Sequence, residues 1–228
     1  MKRGKKYKKI VKDLNSEEIF SLTDSIKQVK ENSYSSFVGS IDLHVAINIP
    51  KDTDPKSIKG AIALPHSVGA KSVKVAVFTT PDRDKEATKA GADIVGLDKL
   101  TKDIQAKKIN FDVAIATPSV MPKIAILGKE LGPKGLMPNP KNGTVTEDIT
   151  TAVKEYKQGK QQFACDTSGV LHFLVGKMEM EDEKVIENVH TAMQAISDVL
   201  GKSLNQLIKS VHLAPTMGPS AKIEYVKE

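Results

Sequence analysis

Residues 37–49 read FVGSIDLHVAINI. Phe37, Ile41, Leu43, Val45, Ile47 and Ile49 share one phase of this stretch, while Asp42, His44 and Asn48 share the other. Strand side chains alternate between two faces, so the pattern predicts a strand with one dry and one wet face. IKGAIALP (58–65) reads as a partner strand ending at Pro65. Upstream, Asn15 or Ser16 can cap a helix in which Glu17 and Glu18 suit the positive end and Ile19, Leu22, Ile26 and Val29 recur at helical spacing.

From about residue 72 the pattern changes. SVKVAVFT (72–79), DIVGL (93–97) and FDVAIATP (111–118) are short, nearly continuous apolar runs, with helical segments at 82–91, 98–108 and 119–131. Buried strands alternating with helices imply parallel β-α units in a small open sheet. A turn at Asn142-Gly143 and a helix from Glu147 to Lys157, ended by Gly159, complete this third.

After Gly159 the period of two returns. KQQFACDTSGVLHFLVG (160–176) reads as a hairpin turning at Thr167-Ser168-Gly169. An amphipathic helix over 181–200 follows, striped by Val185, Val189, Met193, Ile196 and Leu200. IKSVHLAPTMGPSAKIEYV (208–226) then gives two strands around a Pro-Thr-Met-Gly-Pro corner. The outer thirds share one style and the middle another. We therefore expect α/β and α+β architecture in two domains. Residues 1–67 and 159–228 form a split, β-rich α+β domain, and 68–158 an inserted, small, Rossmann-like parallel α/β domain. The joins are expected near LPHSVGAK (64–71) and YKQGK (156–160).

Bulk properties narrow the function. The 228 residues carry a formal charge of +6, with 39% hydrophobic residues and a single cysteine, Cys165. No apolar run approaches the roughly eighteen residues that a membrane helix needs, so we expect a soluble protein. One cysteine precludes an internal disulfide and suits a reducing compartment. Seven of the first twelve residues are basic, and this arm, with Lys5 and Lys6, can attract phosphate or simply aid solubility.

Catalytic signatures are missing from the sequence. The histidines lie scattered at 44, 66, 172, 190 and 212, and none belongs to an HExxH pattern. Glu187 and His190 form one ExxH, whereas a di-metal carboxylate site needs two and further carboxylates. Cys165 lacks a nucleophile signature and reads as a small buried strand residue. LGKELGPKGLMPNPKNGTV (127–145) packs four glycines, three prolines and three lysines between Gly128 and Gly143. It is not a P-loop, because Gly128 and Gly132 are one residue too close and Pro133 takes the lysine position. Two readings remain: a stiff loop whose Lys129, Lys134 and Lys141 follow a phosphate backbone, or a plain connection.

LGPKGLMPNPKNGTV (131–145) resembles the signature of the bacterial-type family of large-subunit ribosomal protein one, found on the mobile stalk beside the tRNA exit site. The resemblance runs through RGKKY (3–7), IKGAIALPH (58–66), VAVFT (75–79), AGADIVG (90–96), FDVAIATP (111–118), GVLHFLVGK (169–177) and TMGPS (216–220). It implies a structural, non-enzymatic protein without cofactor or metal, monomeric outside the ribosome. Its partners would be large-subunit rRNA, its own mRNA and, transiently, exit-site tRNA, with no membrane. Its place would be the ribosome of the cytoplasm, or of an organelle.

The resemblance also implies RNA contacts from Phe37, Thr216, Met217 and Gly218, from His172, and from Lys5 and Lys6, with Lys134 and Lys141 secondary. Phe37 can pack against a ribose or base, or sit in the core in phase with Ile41 and Leu43. The Thr216 hydroxyl can bond a 2′-hydroxyl or phosphate, and Gly218 can admit RNA close to the backbone. Two departures stand out. Ala164, Cys165, Asp166 and Thr167 replace the family's usual Arg-Asn-Asp-Lys, and HSVGAK (66–71) has one extra residue where the family has His-Gly-x-Gly-Lys.

Overall fold

The computed structural model describes residues 4–12, 19–49, 54–68, 73–106, 109–201 and 207–224. The chain forms two compact units, Met1–Val68 with Phe163–Glu228, and Gly69–Gln162.

In the first unit, α1 (Lys5–Lys12) gives the basic start helical form. The next helix differs from expectation. Asn15 and Ser16 lie outside the described residues, and Ile19 is not helical but forms β1 (Ile19–Phe20). The helix, α2 (Leu22–Glu31), starts later because Ser21 caps it: the Asp24 N–H donates to Ser21 Oγ at 3.2 Å. Ile26 and Val29 then face the core.

The wet-faced strand is β2 (Ser40–Ile47), in which Ile41, Leu43, Val45 and Ile47 are buried. Its neighbours are not those expected. β3 (Lys59–Ile62) pairs with β7 (Gln161–Ala164) in a two-stranded sheet, whereas β2 pairs antiparallel with β8 (Val170–Lys177) and β9 (Ile208–Pro215). The expected 160–176 hairpin is thus a turn between strands of two different sheets. Local geometry still makes the turn: Asp166 Oδ1 accepts from the Ser168 and Val170 N–H groups, and Gly169 takes φ 82°. β10 (Ala221–Ile223) pairs with β9 and with β1, giving the order β1-β10-β9-β2-β8.

One face of this five-stranded sheet carries the core. Leu43, Val45, Leu171, Phe173, Val175, Val211 and Leu213 pack with α2 and with Val185, Val189, Met193 and Ile196 of α8 (Asp182–Leu200). Each such aliphatic side chain contributes about 1.5–3 kcal/mol on full burial. Phe163 of β7 packs against Phe173 with centroids 4.9 Å apart and the rings tilted by 51°. It also lies over Gly60, where a Cβ would sit 2.6 Å from the ring. Cys165 is buried just past β7, its N–H donating to the Ile58 carbonyl, and burial raises its thiol pKa.

The second unit has the expected layered form. β4 (Val75–Phe78), β5 (Ile94–Val95) and β6 (Val113–Ala116) make a parallel sheet in the order β5-β4-β6. Both faces of β4 are buried, which is why its sequence does not alternate. Ala76 and Phe78 pack with Leu100 and Ile104 of α4 (Leu97–Gln105), Ile124 of α5 (Met121–Ala125) and Leu131 of α6 (Gly128–Leu131). Val75 and Val77 pack with Ala87 of α3 (Asp84–Lys89) and with Val153 and Tyr156 of α7 (Ile149–Lys157). The Tyr156 hydroxyl is buried, donates to the Asn142 carbonyl at 2.7 Å, and is pushed up to about 12 by burial.

Candidate nucleic-acid interface

The site begins where β2 and β9 meet at one end of the sheet. The Thr216 hydroxyl accepts from the Ser40 N–H at 2.8 Å and donates back to the Ser40 carbonyl at 3.2 Å, beside the Thr216 N–H to Ser40 carbonyl bond at 3.0 Å. Its single proton is committed to the backbone. What it offers outward is a remaining lone pair, an acceptor for a donor such as a 2′-hydroxyl.

The segment leading into β2 is held beside this junction. The Tyr34 N–H donates to the Met217 carbonyl at 3.3 Å, and Ser35 Oγ donates to the Phe37 carbonyl at 2.8 Å. The alternation that buries Ile41 and Leu43 does not extend back to Phe37, which precedes the strand in a bend. Phe37 is 56% exposed, Val38 50% and Met217 39%. Three apolar side chains thus stand in solvent around a polar junction, an arrangement suited to packing against flat, partly apolar groups with polar rims.

Gly218 is required by the protein itself. A Cβ there would meet Pro215 Cγ at 2.6 Å and the Asn32 carbonyl oxygen at 2.9 Å. The close approach that makes glycine necessary is between the turn and the end of α2.

His172 lies further along the same sheet, on the face turned away from the core. It pairs in register with His44, which pairs on its other side with His212, itself opposite Lys222. The four side chains form a transverse row over β8, β2, β9 and β10. His44 Nδ1 and His172 Nδ1 are 2.7 Å apart, with the rings edge-to-face. Asp166 Oδ2 stands 3.8 Å from His172 Nε2. Burial, then His172, lowers the His44 pKa, and burial, then Lys222, lowers that of His212. Burial raises the Asp42 pKa against the opposing pull of His44 and His172.

His44 and His212 were not singled out from the sequence as site residues. Both occupy the polar phase of alternating strands, as does His172, and that shared phase was the available signal. The register that sets the three side by side is not written in any one strand.

The remaining candidates fall elsewhere. Lys5 and Lys6 are exposed on α1, away in sequence from the Thr216 junction. Lys134 and Lys141 belong to the second unit. Their stretch is not wholly extended: α6 opens it, Gly135 takes φ 70°, and a 3-10 turn at Pro140–Asn142 ends at left-handed Gly143. Glu187 does not pair with His190 in a metal site. It lies 2.6 Å from His66 Nε2, while buried Asn188 bonds the His66 backbone on both sides. Among the described residues no cluster of histidine, cysteine and carboxylate groups could hold a metal ion, and no helix is long and apolar enough to cross a membrane.

Comparison with known proteins places the whole chain. It is 41% identical over 227 residues to the large ribosomal subunit protein uL1 of Kosmotoga olearia, covering 99% of this chain and 98% of that protein. Against uL1 of Fervidobacterium nodosum it is 41% identical over 225 residues, covering 98% and 95%. Against uL1 of Lactobacillus delbrueckii subsp. bulgaricus it is 42% identical over 225 residues, covering 98% and 96%. Residues 29–219 match the ribosomal protein L1p/L10e family, a span that covers all of the second unit and, in the first, the stretch from the end of α2 through β9 to Gly218. With that match and those relatives, the chain belongs to the ribosomal protein L1p/L10e family of structural, non-enzymatic proteins.

Proposed function

We propose that this protein is a structural component of the large ribosomal subunit that grips the stalk region of large-subunit rRNA through its first unit. The observation that carries this reading is the sheet end at Ser40 and Thr216, with Phe37, Val38 and Met217 exposed around it. Phe37 and Met217 pack against ribose and base surfaces, and Thr216 accepts from a 2′-hydroxyl. Gly218 acts indirectly, by letting the turn seat against α2. Lys5 and Lys6 add sequence-independent attraction to phosphate.

The RNA-binding domain in this reading joins residues 1–67 to 159–228, and 68–158 form the inserted domain. Lys134 and Lys141 supply a secondary RNA contact from the latter. Two further roles rest on family resemblance alone: assisting release of deacylated tRNA from the exit site, and repressing translation of the protein's own mRNA through a site that mimics the rRNA. The same resemblance supports a monomer outside the ribosome, in the cytoplasm or in an organelle.

A filter-binding titration tests the central claim. The full chain is titrated against a stalk rRNA fragment and an unrelated RNA of equal length, at two salt concentrations. A preference for the stalk fragment that survives the higher salt is expected, since shape and 2′-hydroxyl contacts are less screened than phosphate attraction. Equal affinity for both RNAs would reduce the protein to a general basic RNA binder.

A further inference from the structure

We infer that the open face of the five-stranded sheet carries a second phosphate-binding row, His172–His44–His212–Lys222, which extends the Thr216 junction across the sheet and takes up protons as RNA binds. This inference rests on the first unit being the RNA-binding one.

The row is set by register. Direct pairing joins His172 to His44, His44 to His212 and His212 to Lys222. Neighbouring strands lie about 4.8 Å apart, so four groups span roughly 14 Å. The same two strands that meet at Ser40 and Thr216 carry His44 and His212, four residues further from the junction on each. Between the junction and the row the same face carries Asp42, flanked by Leu174 and Ala214, so a phosphate backbone crossing the junction passes one carboxylate before it meets the histidines.

The row is electrically quiet when empty. His44 Nδ1 and His172 Nδ1 at 2.7 Å can form a hydrogen bond only if one carries the proton and the other does not. If both carried it, two donors would face each other and the contact would open. Burial and neighbouring cations also hold His44 and His212 towards their neutral forms. The other charged groups on this face are Asp42 on β2, Asp166 beside His172, Lys177 at the far end of β8, and Glu224 just past β10. Lys222 supplies the fixed positive charge at one end of the row.

A phosphate changes that balance. Its charge favours the imidazolium form, the His44–His172 contact opens, and the released N–H groups donate to phosphate oxygens. Binding and proton uptake are then linked, so affinity rises as pH falls. A metal ion fits the row poorly. The facing nitrogens are spent on each other, Lys222 repels a cation, and no described cluster has metal-holding geometry.

The test is a titration of the full chain with the stalk rRNA fragment at about pH 7.5, 6.5 and 5.5 and constant ionic strength, for the wild type and for His44→Gln, His212→Gln and the double variant. Circular dichroism at each pH verifies folding. The wild type is expected to bind roughly three- to tenfold tighter at the lowest pH than at the highest, and the double variant to lose most of that gain. Calorimetry in two buffers of different ionisation enthalpy should show proton uptake near pH 6.5 that the double variant lacks. Parallel pH profiles for wild type and double variant, with stalk preference intact, overturn the row and leave the proposed function standing. Histidine-dependent acid enhancement with no preference for the stalk fragment does the reverse.

Discussion

Thr216 and Ser40 close the sheet end with three mutual hydrogen bonds, two of them through the Thr216 hydroxyl. The side chain expected to reach for RNA is thus first a clamp between β2 and β9. Thr216→Val keeps the shape and deletes both hydroxyl bonds, whereas Thr216→Ser keeps them. The valine variant should be about 1 kcal/mol less stable in urea unfolding and bind stalk rRNA several-fold more weakly. The serine variant should stay near wild type in both. Wild-type affinity in the valine variant would remove the hydroxyl from the interface.

Met217 and Gly218 should behave differently although they are adjacent. Met217 presents an exposed side chain, so Met217→Ala should weaken RNA binding while leaving the unfolding midpoint unchanged. Gly218→Ala pushes a methyl group towards the Asn32 carbonyl and Pro215, so it should cost stability of about 1–3 kcal/mol as well as affinity. Paired urea and filter-binding curves separate the two. If Gly218→Ala lost affinity with full stability, the glycine would be serving RNA directly.

The second unit offers a control that should not touch the first-unit site. Tyr156→Phe leaves the Asn142 carbonyl without its buried donor and should destabilise that unit by about 1–2 kcal/mol. Hydrogen exchange should report faster opening at Val75–Phe78 and Ile149–Lys157. Stalk rRNA affinity should remain within about twofold, because the sheet-end junction belongs to the other unit.

What the sequence disclosed follows from how locally each feature is determined. Alternation in 41–47 and the unbroken apolar run at 75–78 reveal burial on one face or both, since burial acts on each residue singly. Partner choice is not local. The turn between Asp166 and Val170 looks like a hairpin, yet Phe163 reaches Phe173 across the core instead of lying beside it, and Gly60 makes room for its ring. The same limit hid the histidine row, whose members are distant in sequence and meet through register. Ile19 misled for a different reason. It has helical spacing, but Ser21, two residues on, caps the helix and sets its start at Leu22. Phe37 has the phase of a core residue but precedes the strand that would bury it.

The histidine row also predicts how the RNA-free protein responds to acid. Burial first, then nearby positive charge, lowers the folded-state pKa of His44 and of His212 below the unfolded value near 6.5. A group depressed in this way binds fewer protons folded than unfolded. Its stabilising contribution is complete above about pH 6.5 and drains away as pH falls through the folded value. Asp42 works in the opposite direction, because its raised pKa favours the folded state only at lower pH, around and below the carboxylate range. Between about pH 7.5 and 5.5 the histidines should dominate, and urea midpoints of the wild type should fall. His44→Gln and His212→Gln should each flatten that slope without lowering the midpoint at the higher pH, since both side chains face away from the core. Acid should therefore weaken the free fold while tightening its hold on RNA, two opposite slopes with one origin. If the urea midpoint of the double variant fell with pH as steeply as that of the wild type, proton binding at these two histidines could not be the source of the free fold's acid sensitivity.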